Sequence, residues 1–191
     1  MAEPIGLHSV GHSNHTIEHF VALLRRQGIE MVADVRSRPY SRHVPHFSKH
    51  QLARRLAEEG LGYAYLGQKL GGKPPRDDPA TARRSFAERA ANPLFQSGID
   101  RLLDEAAAQR VAMVCRERDP LDCHRFHLIG RHLRQRIAIR HILPDGLLED
   151  HALTERRLLA REGEGALPLF AGQADETALA RAYDAAWARF R

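Results

Sequence analysis

Cysteine is scarce in this sequence of 191 residues, which contains only Cys115 and Cys123. Small secreted domains that depend on a disulfide framework carry more cysteines in a shorter chain, so this class of protein is excluded. Such low cysteine usage, with no disulfide framework, is typical of a reducing compartment. We therefore expect a cytoplasmic protein.

Long apolar runs are missing as well. No stretch approaches the ~20 residues that a membrane-spanning helix needs. The segment from Met1 to Ser13 has no basic stretch followed by a long apolar core, which a secretory signal would have. We expect neither a membrane partner nor a signal peptide.

The charge of the chain is modestly basic. Lys and Arg number 29 against 24 Asp and Glu, which gives a formal net charge of +5. This excess permits an anionic partner such as a nucleotide or nucleic acid, although solubility explains it equally well. With 43% apolar and 28% charged residues the chain is not a disordered one, and its length suits one domain with a sizeable core.

Apolar runs and helical patterns alternate along the chain. The predicted strands are Ile5–Val10, Glu30–Val35, Tyr63–Leu66, Val111–Val114 and Ile137–Leu143. The predicted helices are Thr16–Gly28, Ser48–Gly60, Ser85–Ala91, Leu94–Gln109, Cys123–Arg136, Leu153–Arg161 and Thr177–Phe190. Such alternation predicts an α/β fold, with a mostly parallel sheet of about five strands, helices on both faces and an added C-terminal helix. We assign residues 1–152 to the α/β domain and 153–191 to a C-terminal helical extension that packs on the same domain.

Polar clusters follow three of the predicted strands. They are Gly11–Ser13, Asp34–Arg36 and Cys115–Arg125. The carboxyl ends of parallel strands share one edge of a sheet, where ligands bind in open α/β folds. The sequence therefore predicts a single polar pocket built from all three clusters.

The cluster that contains both thiols offers the most chemistry. Cys123 is predicted at a helix N-terminus, where the helix dipole, Arg125 and a protonated His124 would lower the pKa of its thiol. Cys115 ends a buried strand, and Glu117 suits a general base or the partner of an arginine. Alternatively, both cysteines simply pack in the core, as buried cysteines often do.

The predicted substrate-binding residues are His12, Ser13, Asp34, Arg36 and Arg125. The two arginines would hold an anion. In the alternative interpretation Asp34 pairs with Arg36, and Ser13 caps a helix.

A basic loop with an interleaved aromatic residue follows the second predicted strand. It runs from Arg36 to His50 and contains Tyr40. Loops of this kind suit phosphate contacts with stacking on bases, although a merely solvated loop fits the sequence equally well.

Redox and metal chemistry stay open as alternatives. The two thiols could meet, but seven residues separate them, unlike a thioredoxin-like motif. Cys123 and His127 share a helical face, and Cys115 and His12 could converge on them. Because no standard zinc spacing is present, no metal ligand is assigned, and the cofactor is left unknown.

Nine segments together resemble a known family. They are Val10–Ser13, Val32–Arg36, Pro39–Ser41, Phe47–Leu56, Gly62–Leu66, Leu70–Gly72, Cys115–Glu117, Cys123–Arg125 and His141–Ile142. In order from about Ile5 to about Thr154 they are similar to the bacterial and archaeal family called domain of unknown function 488, and Cys-x-Glu followed by Cys-His-Arg is the most specific element. The resemblance implies an α/β domain with a polar pocket and a role in nucleotide- or nucleic-acid-related processing. The family's motif positions correspond here to His12, Ser13, Asp34, Arg36, Pro39, Gly71, Gly72, Cys115, Glu117, Cys123, His124 and Arg125.

These observations favour an enzyme that acts on an anionic ligand of the nucleotide or nucleic-acid class. Its expected catalytic residues are Cys115, Glu117, Cys123 and His124. A non-catalytic nucleic-acid-binding module and a thiol redox or metal-sensing protein are the alternatives. The oligomeric state is left open.

Overall fold

A six-stranded sheet forms the centre of the protein in this computed structural model, which describes residues 6–73, 85–163 and 176–190. The strands are β1 Leu7–Gly11, β2 Met31–Asp34, β3 Gly62–Tyr65, β4 Val111–Cys115, β5 Ile139–Ile142 and β6 Leu148–Asp150. Their spatial order is β3-β2-β4-β1-β5-β6. The first five pair in parallel, and β6 pairs antiparallel with β5. The α/β class and the mostly parallel sheet are confirmed, with one strand more than the five expected.

Helices connect the strands and pack around the sheet. They are α1 Ile17–Arg26, α2 Lys49–Glu58, α3 Gly67–Leu70, α4 Phe86–Ala90, α5 Pro93–Ala108, α6 Arg131–Leu133, α7 His151–Glu162 and α8 Glu176–Phe190. Several begin at polar caps that satisfy free backbone N–H groups. Thr16 Oγ1 accepts a hydrogen bond from the His19 N–H, and Ser85 and Glu88 form a capping box at α4.

Each face of the sheet buries its own apolar cluster, because alternate residues of a strand point to opposite faces. Val32 packs with α1 and α2 on one face, in a cluster that includes Phe20 and Leu52. Met31 and Ala33 belong to the cluster on the other face, which α5 covers. Burial of these side chains is the main force that fixes the strands in register.

The two last helices lie against each other and against the segment after β4. Their buried cluster includes Leu121, Phe126, Leu158, Leu179 and Tyr183. The assignment of residues 153–191 to a separate extension stays a prediction. None of the helices in the described ranges is long and apolar enough to cross a membrane.

The order of the strands places β4 between β1 and β2. Gly11 lies opposite Cys115 in the β1–β4 register, and Asp34 lies opposite Val114 in the β2–β4 register. After β1 the chain forms β2 at a distance of two strands, and β4 is added later in the space between them. The carboxyl ends of these three strands therefore adjoin at a topological switch point, where α/β proteins bind ligands.

Candidate functional site

The loop that follows β4 folds back over the end of β1. The His12 N–H donates to the Cys115 carbonyl at 2.9 Å, and the Ser13 N–H donates to the Arg116 carbonyl at 2.9 Å. Gly11 makes this approach possible, because a Cβ atom at that position would overlap the carbonyl oxygen of Glu117. The requirement for glycine here is steric, since the loop backbone occupies the space of a side chain.

Arg125 holds the far end of the same loop. Its guanidinium donates to the Glu117 carbonyl at 2.8 Å and to the Arg118 carbonyl at 3.1 Å. Arg125 is 1% exposed, so the donor groups of these hydrogen bonds are shielded from water. The planar fork of the guanidinium suits two neighbouring carbonyl groups. Arg125 thereby brings Cys123 and His124 back to the end of β4.

The helix predicted from Cys123 to Arg136 starts later than expected. Pro120–Asp122 form a 3-10 turn, and Cys123 is extended, with φ −137° and ψ 142°. Arg125–Gly130 then form a π-helical turn that leads into α6. Cys123 therefore precedes the helix, and its side chain faces the end of β4.

Cys115, Cys123 and His124 meet in a cluster that we call the thiol centre. The Cys115 sulfur lies 3.5 Å from Nδ1 of His124, and the Cys123 sulfur lies 3.8 Å from the same nitrogen. The two sulfurs and this nitrogen all lie within 4.8 Å of one another. The Cys115 sulfur also lies 3.1 Å from Oε2 of Glu117. All three members of the thiol centre are buried.

The ring of His124 is fixed from two sides. Nε2 lies 3.0 Å from the Val35 carbonyl, which can only accept a hydrogen bond, so Nε2 carries the hydrogen. In the neutral ring Nδ1 then presents its lone pair to the two sulfurs. Gly72 lies against the ring, and an added Cβ there would come within 2.6 Å of Cγ of His124.

The two thiols have opposite electrostatic environments. Burial, followed by the hydrogen bond with Cys123, raises the pKa of Cys115 well above its usual value. Burial also opposes ionisation of Cys123, but the hydrogen bond from Cys115 and the charges of Arg125 and His124 outweigh it and lower the pKa of Cys123 well below the usual value. The Arg125 backbone N–H lies 3.4 Å from the Cys123 sulfur. Negative charge in the thiol centre is therefore favoured on Cys123.

Glu117 and His124 respond to that charge. Burial and the neighbouring Cys123 raise the pKa of Glu117. For His124, burial acts downward, but the charge and hydrogen bond of Cys123 prevail and raise its pKa. Both groups are thus held closer to their protonated forms than they would be in water.

A second polar cluster lies at the same sheet edge, where β2 ends. Arg36 donates from Nε to Oδ1 of Asp34 at 2.8 Å and from a terminal nitrogen to Oδ2 at 2.6 Å. Its other terminal nitrogen donates to the Phe47 carbonyl at 2.8 Å, and the Tyr63 hydroxyl donates to Oδ2 of Asp34 at 2.7 Å. Burial acts to lower the pKa of Arg36, but the hydrogen bonds to Asp34 outweigh this effect. The pKa of Arg36 is therefore raised.

His12 and Ser13 border the second cluster. The His12 ring stacks on Phe47 with 4.4 Å between ring centroids, and its Nδ1 lies 2.9 Å from the Ser13 carbonyl. Burial and the charge of Arg36 lower the pKa of His12 to about 4, so the ring is neutral at pH 7. Ser13 has a positive φ of 45° at the turn that follows β1, and its side chain does not cap α1, where Thr16 does so instead.

The predicted site residues thus fall into two groups at one edge of the sheet. Cys115, Cys123 and His124 form the thiol centre, and Glu117 and Arg125 lie beside it. Asp34 and Arg36 bind each other, with His12 beside them. The catalytic and substrate-binding roles stay predictions.

Two residues beside these groups were missed by the sequence interpretation. Tyr63 binds the Asp34 carboxylate, and its position on a half-buried strand, one strand away from Asp34, could have drawn attention to it. The Val35 carbonyl, which orients His124, has no sequence signal at all.

The set of possible metal ligands also differs from the expected one. His127 was expected beside Cys123, but its Nε2 lies 2.6 Å from the Leu121 carbonyl. His12 was also expected there, but its ring stacks on Phe47 and its Nδ1 contacts the Ser13 carbonyl. The histidine that joins the two cysteines is His124.

Comparison with known proteins gives one match. The family model described as Domain of unknown function DUF488 matches residues 16–131, which is more than half of the chain and less than the stretch from Ile5 to Thr154 expected from the motifs. The matched residues include every member of the thiol centre and the second polar cluster, but not His12 and Ser13, which border that cluster. No curated protein and no solved structure matches the chain. The chain belongs to the DUF488 family.

Proposed function

We propose that the protein is an enzyme that acts at the thiol centre on an anionic ligand of the nucleotide or nucleic-acid class. One observation carries this proposal, which is the convergence of Cys115, Cys123 and His124 in a buried cluster beside the carboxyl group of Glu117. Two sulfurs, an imidazole and a carboxyl group in direct contact at a topological switch point are more than packing requires.

The roles follow from the contacts. The thiol centre supplies the reacting groups, and Glu117, which is less buried than its partners, is the residue that moves a proton between the centre and the ligand. Arg125 and Arg36 are positioning residues, because their hydrogen bonds to carbonyls and to Asp34 already engage them. An anion is therefore expected to bind to other cations.

Exposed cations surround this edge of the sheet. Arg38, Arg42, Arg116 and Arg118 are exposed, and none of them forms an ion pair with a carboxylate in the described part of the chain. Tyr40, between the first two, is 71% exposed. Arginines with an exposed aromatic ring suit phosphate contacts and base stacking, which supports the proposed ligand class.

Turnover of a panel of mononucleotides and short single-stranded oligonucleotides, followed by mass spectrometry, tests the enzymatic part. We expect a product with the wild-type chain, and a loss of rate of about 100-fold or more in Glu117→Gln, because general acid–base groups contribute that much. Glu58→Gln, which alters an exposed carboxylate on α2, is the matched control and should keep the wild-type rate. A wild-type rate in Glu117→Gln would remove the role of that residue.

Binding of a fluorescent single-stranded oligonucleotide tests the ligand class separately. Tyr40→Ala should weaken binding about tenfold or more if the ring stacks on a base. Affinity should also fall steeply with salt as phosphate contacts are screened. Binding that is tight and salt-dependent, without any product from the panel, would instead favour a non-catalytic nucleic-acid-binding module.

A further inference from the structure

We propose that the thiol centre binds a zinc-like divalent metal ion, with the two sulfurs of Cys115 and Cys123 and Nδ1 of His124 as its ligands. The proposal deepens the proposed function, on which it rests only for the part that the ion plays in a reaction. Metal binding itself is measured without any substrate. The sequence assigns no metal ligand, because seven residues between the cysteines do not match a zinc motif.

The distances from Nδ1 of His124 to the two sulfurs match those around a tetrahedral ion. Zinc lies about 2.3 Å from sulfur and about 2.0–2.1 Å from a histidine nitrogen, so a tetrahedral angle separates sulfur from nitrogen by about 3.6 Å. The observed separations from Nδ1 are 3.5 Å to the Cys115 sulfur and 3.8 Å to the Cys123 sulfur. Both sulfur-to-nitrogen distances thus fit a tetrahedral ion, and all three ligand atoms lie within 4.8 Å of one another.

The surroundings of the ligands are also those of a metal site. A histidine ligand usually donates its second ring N–H to a carbonyl or carboxylate, which fixes the tautomer, and Nε2 of His124 has such a contact with the Val35 carbonyl. The Cys123 sulfur has a backbone N–H donor, from Arg125, which supports its negative charge. All three ligands are buried, which shields the sulfurs and the ring nitrogen from bulk solvent.

Three protein ligands leave the fourth corner of a tetrahedron open. Glu117 lies beside the proposed site, because its Oε2 is 3.1 Å from the Cys115 sulfur. Sites with three protein ligands and an open position are typical of catalytic zinc, whereas structural zinc is enclosed by four ligands. The open corner would take a water molecule or an atom of the ligand, with Glu117 as its hydrogen-bond partner.

The fold explains how a set without a zinc motif converges. Cys115 comes from the end of β4, whereas Cys123 and His124 come from the far side of a loop that Arg125 draws back through the Glu117 and Arg118 carbonyls. Tertiary contacts thus bring the ligands together, and their spacing in the sequence alone gives little indication of a metal site.

Cobalt titration tests the site in the wild-type chain. The purified, reduced protein is stripped with a chelator and titrated with Co²⁺, which reports its ligands in the absorption spectrum. We expect one equivalent to produce a thiolate-to-cobalt charge-transfer band and the strong visible bands of a tetrahedral ion, and Zn²⁺ to displace both. Absence of these bands would overturn the proposal.

Substitution of each ligand identifies the site. Cys115→Ser, Cys123→Ser and His124→Asn should each weaken cobalt binding by at least about tenfold, since even residues that only orient ligands contribute that much. His19→Asn, at an exposed histidine on α1, is the control and should bind as the wild type does. Folded variants that keep the wild-type affinity would contradict the assignment.

Protection of the thiols gives a measurement that needs no variant. Zn²⁺ should slow the reaction of both cysteines with a thiol reagent in the native chain, and a chelator should restore the rate. Unprotected thiols would contradict the metal site. Closure of a disulfide when a mild two-electron oxidant such as diamide is added in the presence of Zn²⁺ would show a redox pair in its place. A metal-loaded protein that turns over no nucleotide would leave this inference intact and refute the proposed function alone.

Discussion

Glycine at position 11 allows the loop after β4 to cover the end of β1. A side chain there would overlap the Glu117 carbonyl, which is also an acceptor for Arg125. Gly11→Ala should therefore displace the loop and lower the free energy of unfolding by about 1–3 kcal/mol, as overpacking of a tight site does. Urea unfolding measures this change.

A glycine on the edge strand β3 serves as the control for Gly11→Ala. At Gly62 an added Cβ comes no closer than 3.3 Å to Cγ of Met31, which is a flexible side chain. Gly62→Ala should change the unfolding midpoint much less. If Gly11→Ala changed the unfolding midpoint as little as Gly62→Ala does, the crowding at Gly11 would be relieved at no cost in stability.

Arg125 is the second residue on which the conformation of the loop after β4 depends. Lysine keeps the charge but cannot donate to the Glu117 and Arg118 carbonyls in a fork. Arg125→Lys should cost about 1.5–3 kcal/mol of stability, the range for a hydrogen bond to a charged group. The change is read from urea unfolding.

Arg161 provides a matched arginine for comparison. It is half exposed and pairs with Asp122 at 2.8 Å on the surface. Surface ion pairs contribute little, so Arg161→Lys should leave stability within about 1 kcal/mol of the wild type. If Arg125→Lys were equally mild, the loop would be held by other contacts.

At the scale of elements, the sequence predicts the five parallel strands and misses the antiparallel one. The central strands β2 and β4 have apolar runs because both of their faces are covered. The strand β6 has three residues, of which Leu148 and Asp150 are exposed, so it lacks the apolar run that marks a strand. It pairs only with β5, as the last strand of the sheet.

The candidate site shows the same limit. Placement of Cys115 and Asp34 at strand ends follows from the alternation of strands and helices. The start of the helix after Cys123 does not, because a π-helical turn has no periodic pattern that the sequence could display. Pairing of His124 with both thiols depends on that turn and on the Val35 carbonyl, which are properties of the fold.

One hydroxyl group adds hydrogen bonds to the apolar contact between α7 and α8. The Tyr183 hydroxyl donates to Oε1 of Glu155 at 2.9 Å and lies 3.0 Å from Nε2 of His151. Tyr183→Phe should lower stability by about 1–3 kcal/mol, because the buried partners lose a hydrogen bond while the ring packing stays. Chemical denaturation measures it, and an unchanged midpoint would show that the hydroxyl is dispensable.

At the scale of the whole molecule, a buried polar chain connects the sheet to the C-terminal helices. Ser9 on β1 lies 2.7 Å from Nδ1 of His141 on β5, and Nε2 of His141 lies 3.1 Å from Nδ1 of His151 on α7. From His151 the chain continues to Tyr183 on α8 and to Glu155. Because buried polar groups are costly when unpaired, the sheet and the last two helices are expected to unfold together.

The buried polar chain makes the stability of the protein depend on pH, because it includes His141. Burial, with the charges of His151, Arg125 and Arg157, holds the pKa of His141 well below its usual 6.5. Below that pH the unfolded chain takes up a proton that folded His141 refuses, so the stability that this group contributes is full above pH 6.5 and is lost as the pH falls towards the folded pKa. Each pH unit in that window should cost about 1.4 kcal/mol from this group. Urea unfolding from about pH 7 to about pH 5 measures the slope of the free energy of unfolding against pH. His141→Gln should reduce this slope by about 1.4 kcal/mol per pH unit, which corresponds to one proton. An identical slope in the two proteins would show that the loss of stability at acid pH comes from other groups.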